Sequence, residues 1–245
     1  MTKLLAYPIS VIYFIFFGIT LLVFHPLQWV ALNVFGYTTH KVVVDALQFC
    51  LMRCQNLLGT RFSCDHPHKV PDGHPVIIVS NHQSMFDIPP LIWYLRKHHP
   101  KFISKKELGK GIPSVSYNLR HGGSVLIDRK NPKQAIIAIK EFAKYIETNN
   151  RAAVIFPEGT RSRDGRPRPF QVKGLHTLFE GIPSAIILPV SINDSWKTIR
   201  YGKFPMGLGT HLKLKIHPPI KLSDHPDHAA LIKSIETQIK DDLKY

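Results

Sequence analysis

The fold prediction rests on residues 76–87, which are Val76-Ile77-Ile78-Val79-Ser80-Asn81-His82-Gln83-Ser84-Met85-Phe86-Asp87. The first part, Val76–Ser80, is an apolar run closed by a serine, a pattern typical of a strand that is buried on both faces. Polar residues follow it at once. Five further runs rich in Val and Ile predict strands at 102–104, 124–128, 152–156, 185–191 and 211–216.

Helix signals lie between several of these strands. Asn131 followed by Pro132 is an N-cap and first-turn pair that predicts a helix through about Glu147. Further helices are predicted at 87–96, 171–180 and 227–243, the last of them amphipathic. Buried strands that alternate with helices predict an α/β fold with a mostly parallel central sheet flanked by helices. In such a sheet, ligands bind beyond the carboxyl ends of the strands.

The charge balance indicates an anionic partner. The chain has 245 residues with 32 Lys+Arg against 17 Asp+Glu, which gives a formal net charge of +15. Eighteen of the basic residues lie within 96–173, against six acidic ones. A surplus of this size is typical of proteins that meet nucleic acid, an acidic membrane surface or a phosphorylated ligand.

The cysteines and histidines do not predict a metal site. Cys50, Cys54 and Cys64 form no CxxC pair, and no HExxH motif is present. Neither a disulfide framework nor a bound metal is therefore expected. Three free cysteines are typical of a protein that works in a reducing compartment.

The amino-terminal residues differ from the rest of the chain in their lack of charge. Residues 7–24 contain no charged side chain, and the low-charge stretch runs on to about residue 39. Because about 20 residues cross a bilayer, this stretch is long enough to span one. A signal peptide fits poorly, since the apolar run is too long and no small-residue cleavage site follows it. A buried core helix is the alternative.

A second helix is predicted at 42–58, after a break in the apolar run at His25 and Pro26. Its mixture of apolar and charged residues is typical of an interfacial helix rather than a second span, so we expect a helical hairpin embedded from one side. Lys3 is the only basic residue before the apolar run, and the positive-inside tendency then places the main body in the cytoplasm, at the inner membrane. We expect a membrane anchor at 1–59 and a catalytic domain at 60–245.

The polar half of the opening stretch contains a histidine and a carboxylate five residues apart. A turn of that length can bring Asp87 back onto His82, where the carboxylate would fix the tautomer and stabilise the imidazolium. Histidine is suited to act as a general base because its pKa lies near neutrality. Ser84 is not expected to be a nucleophile, since no G-x-S-x-G motif surrounds it. Taken alone, the pattern also fits an N-capping aspartate beside an unrelated histidine.

Two further segments present basic residues at predicted strand ends. Residues 156–162 read Phe-Pro-Glu-Gly-Thr-Arg-Ser, in which the guanidinium of Arg161 is suited to a phosphate and Glu158 is suited to bind a hydroxyl or to orient Arg161. Residues 123–129 read Gly-Ser-Val-Leu-Ile-Asp-Arg and end at Arg129. Lys105 follows the strand predicted at 102–104. For each basic residue alone, a solvated side chain or a surface ion pair is the alternative.

These motifs, in this order, resemble the glycerolipid acyltransferase superfamily, and within it the 1-acyl-sn-glycerol-3-phosphate acyltransferases. The family's N-H-x4-D block is similar to Asn81 to Asp87, and its F-P-E-G-T-R-S block is similar to residues 156–162. The G-x-x-hydrophobic-I-D-R block is similar to residues 123–129, and an apolar block ending in Pro-Val is similar to residues 186–190. The resemblance covers roughly residues 60–220.

The resemblance implies an activity and roles for particular residues. It implies that His82 is the catalytic base and Asp87 its partner, and that Glu158 helps to position the glycerol. The residues implied to hold the phosphate are Lys105, Arg129, Gly159, Thr160 and Arg161. The acceptor would be lysophosphatidic acid and the product phosphatidic acid. Fatty acyl-CoA or acyl-carrier protein would be the donor, with membrane lipids as partners and no other cofactor.

Two other functions remain as alternatives. A close variant acylates another lyso-lipid, and it would share the base but differ in headgroup contacts. A protein of another class would be a non-catalytic module that binds anionic membranes through the basic region. Nucleic acid is not expected as a partner, because no helix-turn-helix, zinc finger or aromatic stacking motif is present.

Overall fold

The computed structural model describes residues 2–245, and within them one eight-stranded sheet forms the centre of the fold. Its strands are β1 (Arg61–Asp65), β2 (Val76–Ser80), β3 (Pro100–Lys105), β4 (Val125–Ile127), β5 (Ala152–Ile155), β6 (Ile186–Asn193), β7 (His211–Ile216) and β8 (Ile220–Lys221). The order across the sheet is β1-β7-β6-β2-β5-β3-β4, and β8 pairs with β6.

Most neighbouring strands run parallel. Only the pairs that β6 forms with β7 and β8 are antiparallel among the described residues. Strands β2, β5 and β6 are buried along their whole length, which is the reason that their sequences are continuous rather than alternating apolar runs. The prediction of a mostly parallel α/β sheet is confirmed.

Seven α-helices surround the sheet in the described part of the chain. They are α1 (Thr2–Phe35), α2 (Tyr37–Asn56), α3 (Ile88–Tyr94), α4 (Val115–His121), α5 (Pro132–Asn149), α6 (Val172–Gly181) and α7 (His228–Asp241). Helix α5 begins where it was predicted, since Asn131 Oδ1 accepts a hydrogen bond of 3.1 Å from the Gln134 backbone N–H. Asp227 caps α7 in the same manner, through the Ala230 N–H at 3.0 Å.

The two faces of the sheet form separate apolar cores. In β2, Ile77 and Val79 pack into a cluster with residues of α5, α6 and α7. The alternate residues Val76 and Ile78 pack into a second cluster with residues of α1 and α3. Helices thus cover both faces, and the edge where the parallel strands end is left to loops.

Several element predictions need correction. The helix predicted at 87–96 is α3, which begins at Ile88 after a 3-10 turn at Met85–Asp87 and ends at Tyr94. Strands β1 and β8 and helix α4 were not predicted. β1 lies at the sheet edge with an exposed and polar sequence, so it lacks the apolar run of a central strand. β8 is only two residues long, and α4 is a short helix whose neighbour is α1.

The amino-terminal helices form a hairpin, as predicted, but the predicted break at His25 and Pro26 is wrong. Helix α1 continues through both residues to Phe35. Contacts from the segment before α4 hold this part of α1: the Ser114 N–H donates to His25 Nδ1 at 3.1 Å, and its hydroxyl donates to the Leu21 carbonyl at 2.6 Å. The chain reverses at Gly36, whose φ of 82° is accessible to glycine.

By length and composition, α1 is able to cross a membrane. Large apolar side chains such as Ile12, Ile19 and Val34 are exposed along it, while Tyr13 is buried against the body of the protein. The boundary predicted at residues 59 and 60 falls between α2 and β1. The division into a membrane anchor at 1–59 and an acyltransferase domain at 60–245 stays a prediction.

Candidate functional site

His82 and Asp87 lie together at the carboxyl end of β2. The Nδ1 atom of His82 is 2.8 Å from Oδ2 of Asp87. The carboxylate is completely buried, whereas 17% of the His82 side chain is exposed. Since Nδ1 donates to the carboxylate, the other ring nitrogen, Nε2, is left to accept a proton.

Four donors hold the Asp87 carboxylate in place. Besides His82, the backbone N–H groups of Gln83 and Ser84 donate to Oδ2 at 2.8 and 3.0 Å. The hydroxyl of Ser195 donates to the other oxygen, Oδ1. These donors fix the orientation of the carboxylate, so that Oδ2 faces Nδ1 of the imidazole.

The hydroxyl of Ser84 is used within the turn. It accepts a hydrogen bond of 3.1 Å from the Phe86 N–H, which caps the 3-10 turn at Met85–Asp87. It also donates to Ser195 Oγ at 3.2 Å, and the side chain is fully buried. This geometry agrees with the expectation that Ser84 is not a nucleophile.

Two buried amides fasten the histidine turn to β6. The side chain of Asn81 donates to the Ile192 carbonyl at 2.8 Å and accepts from the Ile192 N–H at 2.7 Å. Gln83 Oε1 accepts from the Ser195 N–H at 3.0 Å. The backbone on either side of His82 is therefore held to the neighbouring strand β6 and to the turn that follows it.

Glu158 joins the histidine turn to the loop after β5. Its Oε1 accepts from the His82 backbone N–H at 2.8 Å, and its Oε2 accepts from the Arg168 N–H at 2.9 Å. In return, the His82 carbonyl accepts from the Ser162 N–H at 2.7 Å. Burial raises the pKa of Glu158, and the two backbone donors act in the opposite direction. The contacts of this carboxylate are thus with backbone amides rather than with Arg161.

An aromatic ring supports the imidazole from one side. Phe156, the first residue after β5, stacks on His82 with the ring centroids 4.1 Å apart and an interplanar angle of 16°. Phe102 of β3 continues this stack at 6.3 Å from Phe156. The ring of His82 is therefore held on one face by Phe156 and at Nδ1 by Asp87, which limits its rotation.

Arg129 reaches the same loop from the end of β4. Its Nη1 donates to the Gly159 carbonyl. Gly159 has a φ of 69°, and a Cβ there would lie 2.6 Å from Nε2 of Gln171, so the turn is suited to glycine. Partial desolvation lowers the pKa of Arg129, and the charge of Arg161 acts in the same direction. Positive charge is therefore concentrated around this loop.

The remaining predicted residues lie at the same edge of the sheet with exposed side chains. Thr160 and Arg161 follow Gly159 in the loop after β5, and Lys105 is the last residue of β3. Lys105 is in register with Ile127 of β4, two residues before Arg129. Direct contacts thus join His82 with Asp87 and Glu158. Arg129 contacts Gly159. The other three predicted residues lie at the same ends of the strands with no hydrogen bond to the His82 group among residues 2–245, and they are Lys105, Thr160 and Arg161.

Three positions in the site were not predicted from the sequence. Ser195 lies 108 residues from the carboxylate that it contacts. Arg168 contributes its backbone N–H, which carries no sequence signal. Phe156 belongs to the strand predicted at 152–156 and to the F-P-E-G-T-R-S motif. That strand pairs with β2 in the parallel sheet, and this pairing is the signal that could have placed Phe156 beside His82.

Comparisons with known proteins show which family the chain resembles. The family model described as Acyltransferase matches residues 61–193, more than half of the chain. 1-acyl-sn-glycerol-3-phosphate acyltransferase alpha of Ovis aries is 26% identical over 174 residues, which are 71% of this chain and 59% of that protein. The 1-acyl-sn-glycerol-3-phosphate acyltransferase of Limnanthes douglasii is 30% identical over 151 residues, which are 60% of this chain and 51% of that protein.

The match to solved structures concerns the fold. The crystal structure of the 1-acyl-sn-glycerophosphate (LPA) acyltransferase PlsC from Thermotoga maritima superposes with a TM-score of 0.79. The match covers 98% of this chain and 97% of that one at 23% identity. The chain spans less than two thirds of the length of the Ovis aries and Limnanthes douglasii relatives. Because the family model matches more than half of its residues, the chain belongs to the acyltransferase family.

Proposed function

We propose that the protein transfers a fatty acyl group from an acyl thioester to the sn-2 hydroxyl of lysophosphatidic acid, which yields phosphatidic acid for phospholipid synthesis. The observation that carries the proposal is the 2.8 Å contact between His82 and the buried carboxylate of Asp87. Membership of the acyltransferase family and the names of the similar proteins support the choice of reaction and acceptor.

The proposed chemistry needs one base and no covalent enzyme intermediate. Nε2 of His82 takes the proton of the acceptor hydroxyl while that oxygen attacks the thioester carbonyl carbon. The tetrahedral intermediate collapses with cleavage of the C–S bond, and the imidazolium returns the proton to the leaving thiolate. Asp87 stabilises the imidazolium between these two steps.

The basic edge of the sheet is suited to hold the phosphate of the acceptor. Arg161 and Arg129 flank the Gly159 turn, and Thr160 adds a hydroxyl between them. Guanidinium groups bind phosphate through paired, charge-assisted hydrogen bonds. Lys105 would add a further positive charge from β3. A phosphate held here leaves the glycerol hydroxyl free to approach His82.

Glu158 fits a positioning role in this reaction. Its carboxylate connects the backbone of His82 with the loop that carries Arg161. Base and phosphate site are thereby held at a constant separation, and this is how Glu158 would help to place the glycerol of the acceptor between them. Correct placement of two reacting groups is a large part of enzymatic rate enhancement.

The lipid nature of the acceptor agrees with the amino-terminal hairpin. Helix α1 is apolar over its length and exposes large apolar side chains. We infer that α1 and α2 embed the protein in the inner membrane from the cytoplasmic side, as a membrane anchor at 1–59 on an acyltransferase domain at 60–245. Fatty acyl-CoA or acyl-carrier protein would deliver the donor, and no further cofactor is proposed.

A panel of acceptors and donors tests the proposed function. Purified protein in detergent is given lysophosphatidic acid, lysophosphatidylglycerol or a lyso-aminolipid, each with acyl-CoA and with acyl-carrier protein. Thiol release and product lipid are measured together. Fastest turnover is expected with lysophosphatidic acid. Faster turnover of another lyso-lipid would refute the assigned acceptor, and absence of turnover with every pair would refute the reaction.

Replacing Arg161 with alanine is expected to raise the KM for lysophosphatidic acid by about 10- to 100-fold, since a charge-assisted hydrogen bond contributes roughly 1.5–3 kcal/mol. The KM for the donor should stay within about twofold. Arg163→Ala is the matched control, because Arg163 is an exposed arginine of the same loop. A change confined to the donor KM would contradict the phosphate role.

Replacing Ser195 with alanine is expected to lower kcat by about 3- to 10-fold with little change in KM. The substitution removes one hydrogen bond to the Asp87 carboxylate, which normally contributes about 1 kcal/mol. Ser195→Thr keeps the hydroxyl and should restore most of the activity if the added methyl group is accommodated. A loss in kcat that Ser195→Thr restores is expected of a positioning hydroxyl, and unchanged kcat in a folded Ser195→Ala protein would contradict that role.

A further inference from the structure

A second group of basic side chains lies at the amino ends of the strands, whereas His82 lies at the carboxyl ends. Lys101 is the second residue of β3, whereas Lys105 ends the same strand. Four residues of strand separate them by roughly 13 Å. Arg151 directly precedes β5, and Lys101 is in register with Ala153 of that strand. The group therefore lies at the amino ends of β3 and β5, away from the proposed catalytic site.

Lys101 is buried without a carboxylate partner. Its side chain is 6% exposed, and no salt bridge joins it to an acidic residue among residues 2–245. Its Nζ lies over the ring of Tyr37, 4.8 Å from the centroid, and the guanidinium of Arg151 lies 4.7 Å from the same centroid. Two cations thus share one aromatic ring, which stabilises each of them only modestly.

The surrounding charges are mainly positive. Lys41 of α2 is nearby, and the neighbouring carboxylate, Asp45, is already paired with it. Burial, together with the charges of Arg151 and Lys41, lowers the pKa of Lys101 to about 7. Burial of a cation with like charges around it is unfavourable unless an anion compensates for it.

A small cavity opens beside Lys101, and polar side chains form part of its lining. Its volume is about 20 Å³, and its polar lining residues are His40, Lys41, Asp45, His99, Lys101, Asn118 and Ser124. Nε2 of His40 is buried and has no hydrogen-bond partner among the described residues, and the same holds for Nε of Arg151 nearby. A cavity of this size holds one water molecule or one oxygen atom of a larger oxyanion. The Nε–H of Arg151 is a donor, and Nε2 of His40 is a donor in the tautomer that carries its proton on that atom.

We propose that this cluster of Lys41, Lys101, Arg151 and His40 is an anion site that takes an oxygen of a phosphate group, separate from the site at His82. An ionised oxygen in the cavity would give Lys101 its missing partner and place negative charge beside Lys41 as well, since both lysines line the cavity. The remaining oxygens of the phosphate would stay in the mouth of the cavity. This site does not depend on the proposed acyl transfer.

Two sources can supply the phosphate. Free inorganic phosphate is one. The other is the headgroup of a membrane phospholipid, because Tyr37, the ring under Lys101 and Arg151, directly follows Gly36 at the turn of the apolar hairpin. A headgroup at this position would lie next to the surface that α1 exposes.

Calorimetric titration distinguishes the sources and tests the site. Arg161→Ala protein in non-ionic detergent, in which the proposed substrate site is weakened, is titrated with inorganic phosphate and separately with dihexanoyl-phosphatidylglycerol. The same titrations use the double variant Arg161→Ala/Lys101→Met. We expect Lys101→Met to weaken binding of one or both ligands by at least about tenfold, the value of one charge-assisted hydrogen bond.

Each outcome has a definite meaning. A lower affinity of the double variant for inorganic phosphate assigns the site to free phosphate groups. A lower affinity for the lipid alone assigns it to a phospholipid headgroup. Equal affinities with and without Lys101 in both titrations would overturn the proposal. Methionine fills the space of the lysine stem without its charge, so thermal unfolding should show a variant at least as stable as its parent. If the double variant is folded, a difference in affinity reports on the Lys101 charge rather than on loss of structure.

Discussion

Replacing His82 with alanine is expected to lower the rate of thiol release from the acyl thioester by about 10³-fold. The substitution removes the atom, Nε2, that takes the proton of the acceptor hydroxyl. The acceptor alcohol would remain protonated in the absence of this base and would be a poor nucleophile. Binding of lysophosphatidic acid should persist, because its proposed contacts at Arg129 and Arg161 are untouched. The expected change is therefore in kcat rather than in KM.

The control for this experiment is another histidine. His225 is exposed and lies after β8, far along the chain from the site, so His225→Ala should retain full activity. His82→Ala also loses the contact with Asp87 and the stack on Phe156, and its thermal unfolding must be measured beside its activity. A folded His82→Ala protein that turns over at the normal rate would end the assignment of the base.

Replacing Asp87 with asparagine is expected to lower kcat by about 10²-fold. Oδ2 of Asp87 accepts from His82 and from two backbone N–H groups, so the amide oxygen of asparagine must occupy that position. The amide nitrogen then takes the place of Oδ1 and can donate to Ser195 Oγ. The histidine tautomer is preserved, and the substitution removes the negative charge behind the imidazolium. An adjacent opposite charge commonly stabilises a charged group by roughly 1.4–4 kcal/mol, a range that includes a rate effect of about 10²-fold.

The separate effects on kcat and KM distinguish this loss from general damage. Without the carboxylate, the imidazolium formed during the reaction is less stable, so kcat should fall in Asp87→Asn while the KM for lysophosphatidic acid stays within about twofold. Asp72→Asn, a substitution at an exposed loop position, is the control and should leave both constants unchanged. Normal activity of a folded Asp87→Asn protein would contradict the role of the carboxylate.

Much of the fold could be predicted because its signals are local. The strands at the centre of the sheet are apolar on both faces, and the N-cap pair at Asn131 and Pro132 is a helix-start signal carried by neighbouring residues. The histidine motif was also predictable, since His82 and Asp87 are joined by one short turn. Helix α1 was predicted too short, because contacts of Ser114 with His25 and Leu21 hold the helix across Pro26. Those contacts join positions that are 89 and 93 residues apart.

Residue order alone predicts the central strands, most of the helices, the apolar hairpin and the pair of residues proposed to move the proton. The surroundings of that pair depend on how distant segments pack together. Ser195 enters the site through its hydrogen bond to Asp87, and the backbone N–H of Arg168 enters it through its hydrogen bond to Glu158. Lys101 contacts the ring of Tyr37, which Arg151 also contacts, only when β3, α2 and β5 are assembled. The physical reason is that periodicity and capping act over a few residues, whereas these hydrogen bonds and cation–π contacts depend on which elements pack side by side.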